Sequence, residues 1–330
     1  MKNEEEFFRN DWTRSEIKEI YQRPLLSLMH QSSRIFQIYH KPGEVQLCAL
    51  LSVKTGGCSE DCAYCSQSHR HDSGVVAQKV LEEESILLAA KKAKEMGSSR
   101  FCMGAAWREI RNSRDFDRIL EVASKISKMG MEVCCSMGML TEEQAQRLKG
   151  AGVYAYNHNL DTGPNYYEKI ISTRTYEDRL KTLEIVCKVG LKVCCGGILG
   201  MGESEEDRMD LLHMLSTMPE HPESVPINVL LPVKGTKMED RKALPIWELL
   251  RVLAVSRILM PKAKVRLSAG RASLSHVEQA LCFMVGANSI HIGEKLLTMK
   301  NCSLGDDREL MDLLGIVPMN SALEPLEAVF

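Results

Sequence analysis

The chain has 330 residues, 44% of them hydrophobic and 26% charged, an ordinary balance for a globular enzyme. A formal net charge of −2 gives no electrostatic reason to expect nucleic acid or an anionic membrane as partner, and no apolar run approaches the about 18 residues a spanning helix needs. Twelve cysteines behind an acidic start, Met1-Lys-Asn-Glu-Glu-Glu6, with no apolar secretion segment, point to a reducing cytoplasmic setting where they are free or metal-bound.

Residues 1–45 read as a helical lead-in, with Ile17, Ile20 and Tyr21 at helical spacing and Pro24 at the start of a second helix. From Gln46 on, short apolar runs alternate with amphipathic stretches. The predicted strands are Gln46–Val53, Arg100–Ala105, Met131–Met137, Gly152–Asn157, Leu191–Ile198, Ser224–Leu231, Lys264–Ser268 and Ser289–Ile292. The predicted helices between and after them are Leu81–Met96, Arg114–Met129, Glu142–Leu148, Tyr176–Val189, Glu205–Thr217, Ile246–Met260, Leu274–Val285 and Arg308–Leu314. This alternation predicts parallel βαβ units closing into a (β/α)8 TIM-type barrel over residues 46–315, with 316–330 as a C-terminal tail.

Cys58-Ser-Glu-Asp-Cys62-Ala-Tyr-Cys65 follows the first predicted strand, at the end where barrel active sites are built. Its C-x3-C-x2-C spacing puts three thiolates on one short loop. A structural zinc site wants four ligands in a closed tetrahedron, whereas three thiolates on a [4Fe–4S] cluster leave one iron open to a non-protein ligand. His69 and His71 lie just beyond and offer the zinc alternative a fourth ligand.

A second group of cysteines sits on strands. Cys102, Cys134 and Cys194 each follow an apolar residue, Phe101, Val133 and Val193. Strand side chains alternate with period two, so all three share one face and point into the lumen if those apolar residues face the helices. By the same parity Arg266 and Ser268 oppose Val265 and Leu267. A buried guanidinium is costly unless paired, so Arg266 is expected among the thiols. The plain alternative is a set of buried core cysteines with an arginine paired to a carboxylate elsewhere. The neighbours Cys135 and Cys195 leave the parity of each doublet open.

Farther along, Tyr156-Asn-His-Asn-Leu-Asp-Thr162 gives Asn157, Asn159 and Asp161 one parity, fit either for a polar ligand or for a turn, with His158 on the other side. Gly196-Gly-Ile-Leu-Gly-Met-Gly-Glu203 is a strand-to-helix passage whose backbone can approach a nucleotide closely. Asn228 is a polar residue on an apolar strand and Arg179 opens a helix.

Taken together, these motifs resemble the radical S-adenosylmethionine enzymes, and within them the biotin synthase family, from about Trp12 to about Leu314. The resemblance rests on Cys58–Cys65, Phe101–Trp107, Tyr156–Thr162, Pro226-Ile-Asn228 and Arg266–Arg271. It implies that Cys58, Cys62 and Cys65 hold a [4Fe–4S] cluster chelated by S-adenosylmethionine, and that Cys102, Cys134, Cys194 and Arg266 hold a [2Fe–2S] cluster inside the barrel. It assigns Tyr64, Ala105, Asn159, Asp161, Arg179, Gly196, Ile198, Gly200 and Glu203 to S-adenosylmethionine, and Asn157, Asn159 and Asn228 to the dethiobiotin ureido ring. The implied reaction is radical insertion of sulfur, donated by the [2Fe–2S] cluster, into dethiobiotin to form biotin. Implied partners are an external electron donor such as flavodoxin or ferredoxin and a second copy in a homodimer. The competing readings are a one-cluster relative, either a mutase or a cofactor-assembly enzyme, and a zinc or iron–sulfur scaffold closed by Cys58, Cys62, Cys65 and His69.

Overall fold

The computed structural model describes residues 8–323; the acidic start and positions 324–330 of the tail lie outside the described residues. The strands are β1 (Glu44–Lys54), β2 (Arg100–Ala105), β3 (Glu132–Ser136), β4 (Val153–Asn157), β5 (Lys192–Cys194), β6 (Gly197–Leu199), β7 (Ser224–Val229), β8 (Lys264–Leu267) and β9 (Ser289–Ile292). Each pairs in parallel with its neighbour, and β1 pairs with β9 from Gln46↔Ser289 to Ala49↔Ile292, which closes the barrel. β5 and β6 occupy one barrel position, so the closed sheet is eight strands round.

That division is the main departure from the single predicted strand Leu191–Ile198. Pro226 on the neighbouring β7 has no N–H to give the ladder. A Cβ on Gly196 would sit 2.0 Å from the Pro226 carbonyl oxygen, so glycine lets the two backbones touch there. We expect Gly196→Ala to force the strands apart, cost about 1–3 kcal/mol and lower the thermal midpoint of the metal-free protein.

Outside the barrel run α3 (Glu83–Glu95), α4 (Arg114–Lys128), α5 (Glu142–Gly150), α7 (Tyr176–Val189), α8 (Glu205–Ser216), α9 (Ile246–Leu259) and α10 (His276–Met284), with the single turn α6 (Pro164–Tyr167) before α7. Capping boxes fix several starts, among them Ser275 with Glu278 at α10 and Ser303 with Asp306 at α11 (Leu304–Leu314). The latter begins before the predicted Arg308 because its first turn is polar and escaped the apolar count. The lead-in forms α1 (Arg14–Tyr21) and α2 (Leu25–Tyr39), whose Ile17, Leu28 and Ile35 are buried. These helices lie on the barrel's outer layer: Trp12 Nε1 donates to Leu259 O at 3.3 Å and Ser32 Oγ to Val285 O at 2.6 Å. Short pieces without a strong periodic signal complete the chain: the hairpin β10 (Lys295–Leu296) with β11 (Met299–Lys300), and β12 (Val317–Pro318), which extends the sheet beside Glu44 and Val45.

At the N-terminal end of the strands the barrel is floored by charge. Arg100 donates to Glu132 Oε2 at 2.7 Å and to both oxygens of Glu223 at 2.8 Å, Lys264 pairs with Glu223 at 2.5 Å, and Gln46 Nε2 donates to Glu132 at 2.9 Å. The backbone N–H of Ala322 reaches Glu132 Oε1 at 2.9 Å, so the C-terminal segment seals this floor. Arg100 and Glu132 are fully buried. Removing one member strands the other's charge, so Glu132→Ala is expected to cost about 3–5 kcal/mol in urea unfolding.

Candidate active site

The loop bearing the three close cysteines leaves β1 through Gly56 and Gly57, both in the left-handed region at φ 69° and 68°, a turn that favours glycine. It is then tied down from several sides. Asp61 accepts from the N–H groups of Ser172 and Thr173 at 2.9 and 3.2 Å, the Ala63 N–H donates to Ile170 O at 2.9 Å, and the Cys65 N–H to Cys62 O at 2.9 Å. Burial pushes the Cys58 and Cys62 thiols up, and that of Cys65 up to about 11. Thiols so placed ionise readily only with a metal to replace the proton, which fits a cluster-binding loop. His69 and His71 each meet a backbone carbonyl through Nδ1, at Cys58 O and Cys65 O (both 2.8 Å), and so brace the loop. Among the described residues no three His, Cys, Asp or Glu side chains stand close enough to hold a single metal ion. Cys58, Cys62, Cys65 and His69 are thus not gathered into a closed four-ligand set, while a cluster takes ligands spread over several irons.

Deeper in the barrel, Cys102, Cys134 and Cys194 pack with Cys48 and Ala155 in a group of their own, apart from the main apolar core. Cys135 and Cys195 belong to that main core, with Phe101, Val133, Val193, Val265 and Leu267. The doublets thus separate by strand parity, one member to the lumen and one to the helix layer. Cys102 and Cys134 are register partners, and the Cys134 thiol, buried among Cys102 and Cys194, is pushed well above its ordinary value by those neighbouring thiols and by burial. Arg266 lies among them, donating to Ser289 Oγ at 3.0 Å, to Gln46 Oε1 at 3.5 Å and toward Cys194 Sγ at 3.7 Å. Among the described residues no carboxylate pairs with it. The neighbouring Cys134 thiol, with Arg266 and Arg100, holds the Cys194 thiol below its ordinary value, against the effect of burial. Three thiols and a guanidinium in a water-poor lumen are a donor set that suits a small iron–sulfur cluster.

A cavity of ≈ 280 Å³ joins the two thiol groups, lined by Cys58 and Cys65 at one end and by Cys102, Cys134, Cys194 and Arg266 at the other. Tyr64, Ala105, Asn157, Asn159, Asp161, Arg179 and Asn228 line it between them. Asp161 takes φ 68°, rare for a side-chain-bearing residue, and its carboxylate accepts from Tyr64 at 2.7 Å and Arg179 at 2.5 Å. Asn157 Nδ2 donates to Asn159 Oδ1 at 3.1 Å and lies 3.3 Å from Cys194 Sγ. Asn228 spends its amide on Gly197 O and the Ala269 N–H at 3.0 and 3.2 Å.

Other sequence-singled residues fall elsewhere. Gly196, Ile198, Gly200 and Glu203 do not line this cavity. Glu203 caps the glycine turn, accepting from the N–H groups of Gly200 and Gly202 at 2.9 and 3.1 Å, and pairs with Arg208 at 2.8 Å. Ile198 lies beside Asp161, its N–H on Asp161 O at 2.8 Å, and the Gly196 N–H donates to Asn159 Oδ1 at 3.2 Å. The passage therefore shapes the wall from behind. Sequence reasoning missed Cys48, Gln46, Arg174 and His291; the last two line the cavity. Gln46 and Cys48 share lumen parity, a signal hidden by the apolar run around them.

The matches to known proteins follow these features. Residues 52–215 match the model of the Radical SAM superfamily, and 226–317 that of the Biotin and Thiamin Synthesis associated domain. The chain is 53% identical to the biotin synthase of Cytophaga hutchinsonii, over 95% of this chain and 93% of that protein. It is 56% identical to the mitochondrial biotin synthase of Arabidopsis thaliana, over 94% and 82%. In fold it superposes on methylornithine synthase with a TM-score of 0.78 at 18% identity, covering 93% of this chain and 94% of that one. It also superposes on a maturase of the [FeFe]-hydrogenase with a TM-score of 0.79 at 18% identity, covering 93% and 72%. Fold alone is shared with those two, but half of all residues along nearly the whole length is shared with the first pair, and on that ground the chain belongs to the biotin synthase family of the radical S-adenosylmethionine superfamily.

Proposed function

We infer that this protein converts dethiobiotin to biotin by radical insertion of sulfur, with two iron–sulfur clusters at the two ends of one cavity. The observation that carries this reading is the joint lining of that cavity by the loop thiols and the lumen thiols, with the polar wall of Asn157, Asn159 and Asp161 between. Superfamily membership brings a [4Fe–4S] cluster with S-adenosylmethionine; Cys58, Cys62 and Cys65 are the residues we assign to hold it. Cys102, Cys134, Cys194 and Arg266 are assigned to a [2Fe–2S] cluster. When bound, the first cluster and S-adenosylmethionine supply hydrogen abstraction and the second cluster supplies sulfur.

The protein's own part is to bind, orient and exclude water. Asp161, fixed by Tyr64 and Arg179, presents a carboxylate suited to ribose hydroxyls, with Ala105 on the facing wall. Gly196, Ile198, Gly200 and Glu203 support that wall and the approach to it. Among the described residues Asn157 Oδ1 and Asn159 Nδ2 have no protein hydrogen-bond partner, leaving one acceptor and one donor for the N–H and carbonyl of a ureido ring. Asn228 holds the backbone beside them. The same reading takes its electron from an external donor such as flavodoxin or ferredoxin and works as a homodimer in the cytoplasm; no described helix is long and apolar enough to cross a membrane.

The test is anaerobic reconstitution followed by incubation with reductant, S-adenosylmethionine and dethiobiotin. Biotin and 5′-deoxyadenosine should both form, with about six irons per chain. Deoxyadenosine without biotin, at about four irons per chain, would mark a one-cluster relative instead.

A further inference from the structure

The lumen thiol group has a fourth member. Cys48, on β1, packs with Cys102, Cys134 and Cys194 and is fully buried. It is unlike an ordinary core cysteine, whose surroundings are apolar. Its Sγ lies 3.5 Å from Gln46 Oε1 and 3.5 Å from Ser289 Oγ. Those are the same two oxygens that receive Arg266, through Nη2 at 3.5 Å and Nε at 3.0 Å. Cys48 and Arg266 thus approach one spot from two strands and share both polar partners. A thiolate is also the softer and stronger ligand for iron, and four thiolates make the common [2Fe–2S] set.

We propose that Cys48 is a reserve fourth ligand of the lumen cluster, exchanging with Arg266 on iron and holding the cluster in the barrel when the Arg266 bond opens. The inference rests on the two-cluster reading above. The exchange balances within the pair: an iron–sulfur bond to Cys48 forms as the iron–nitrogen bond to a neutral Arg266 guanidine breaks. The thiol proton passes to the departing guanidine, with Ser289 Oγ placed between donor and acceptor. No electron is transferred and no co-reactant is needed.

The experiment reads iron per chain and oxygen-17 hyperfine coupling of the reduced second cluster, in oxygen-17-enriched water, for wild type, Arg266→Met and Arg266→Met/Cys48→Ser. The first cluster serves as the internal folding control. We expect Arg266→Met to keep all six irons with no oxygen-17 coupling, because Cys48 takes the vacated iron. The double variant should either fall to about four irons or acquire oxygen-17 coupling as water binds. Loss of two irons in Arg266→Met, oxygen-17 coupling in it, or a double variant identical to it would each overturn the proposal. If Arg266→Met loses the first cluster as well, Arg266→Gln carries the same readings, since its amide keeps a hydrogen-bonding group toward Ser289 and Gln46. Wild type that never exceeds about four irons would instead refute the two-cluster reading itself, so the two failures are distinguishable.

Discussion

Cys134→Ser should abolish biotin formation and lower iron from about six to about four per chain, while Cys135→Ser keeps both within about twofold. The two positions are adjacent in sequence but lie on opposite faces of β3. Cys134 belongs to the lumen group with Cys102 and Cys194, whereas Cys135 is packed in the main core beneath the helices. A serine at 135 buries a hydroxyl in apolar surroundings, so its expected effect is a stability loss of about 1–3 kcal/mol, seen in the thermal midpoint and not in cluster content. Equal loss of iron from both variants would mean that the lumen assignment of β3 is wrong.

Cys65→Ala is expected to have the complementary outcome. It should reduce 5′-deoxyadenosine production to background and remove about four irons, leaving about two with the visible absorption of the second cluster. The loop is not expected to unravel, because Asp61 still ties it to Ser172 and Thr173, and Gln67 O still receives the Cys58 N–H at 3.0 Å. Deoxyadenosine at wild-type rate in this variant would exclude Cys65 as a ligand. Read together, the two variants separate radical generation from sulfur transfer, one lost at each end of the cavity.

The sequence by itself determined the barrel and the chemical type of the site. The βα alternation is carried by local periodicity, and C-x3-C-x2-C places three thiols on one loop whatever the rest of the chain does. Strand parity also gave Cys102, Cys134, Cys194 and Arg266 a common face on the condition that their apolar neighbours meet the helices, since period two is a property of the strand alone. Only the tertiary structure decided which member of each cysteine doublet meets the others. Parity is relative, and the choice between lumen and helix layer is made by barrel closure, here the pairing of β1 with β9. It also decided the break between β5 and β6, which arises from a contact between Gly196 and Pro226, distant in sequence. It turned Glu203 toward its own glycine turn and Arg208. And it brought Cys48, unremarkable in the run Gln46-Leu-Cys-Ala-Leu50, to the two oxygens that also receive Arg266, because that coincidence exists only once the first and last strands of the barrel are side by side.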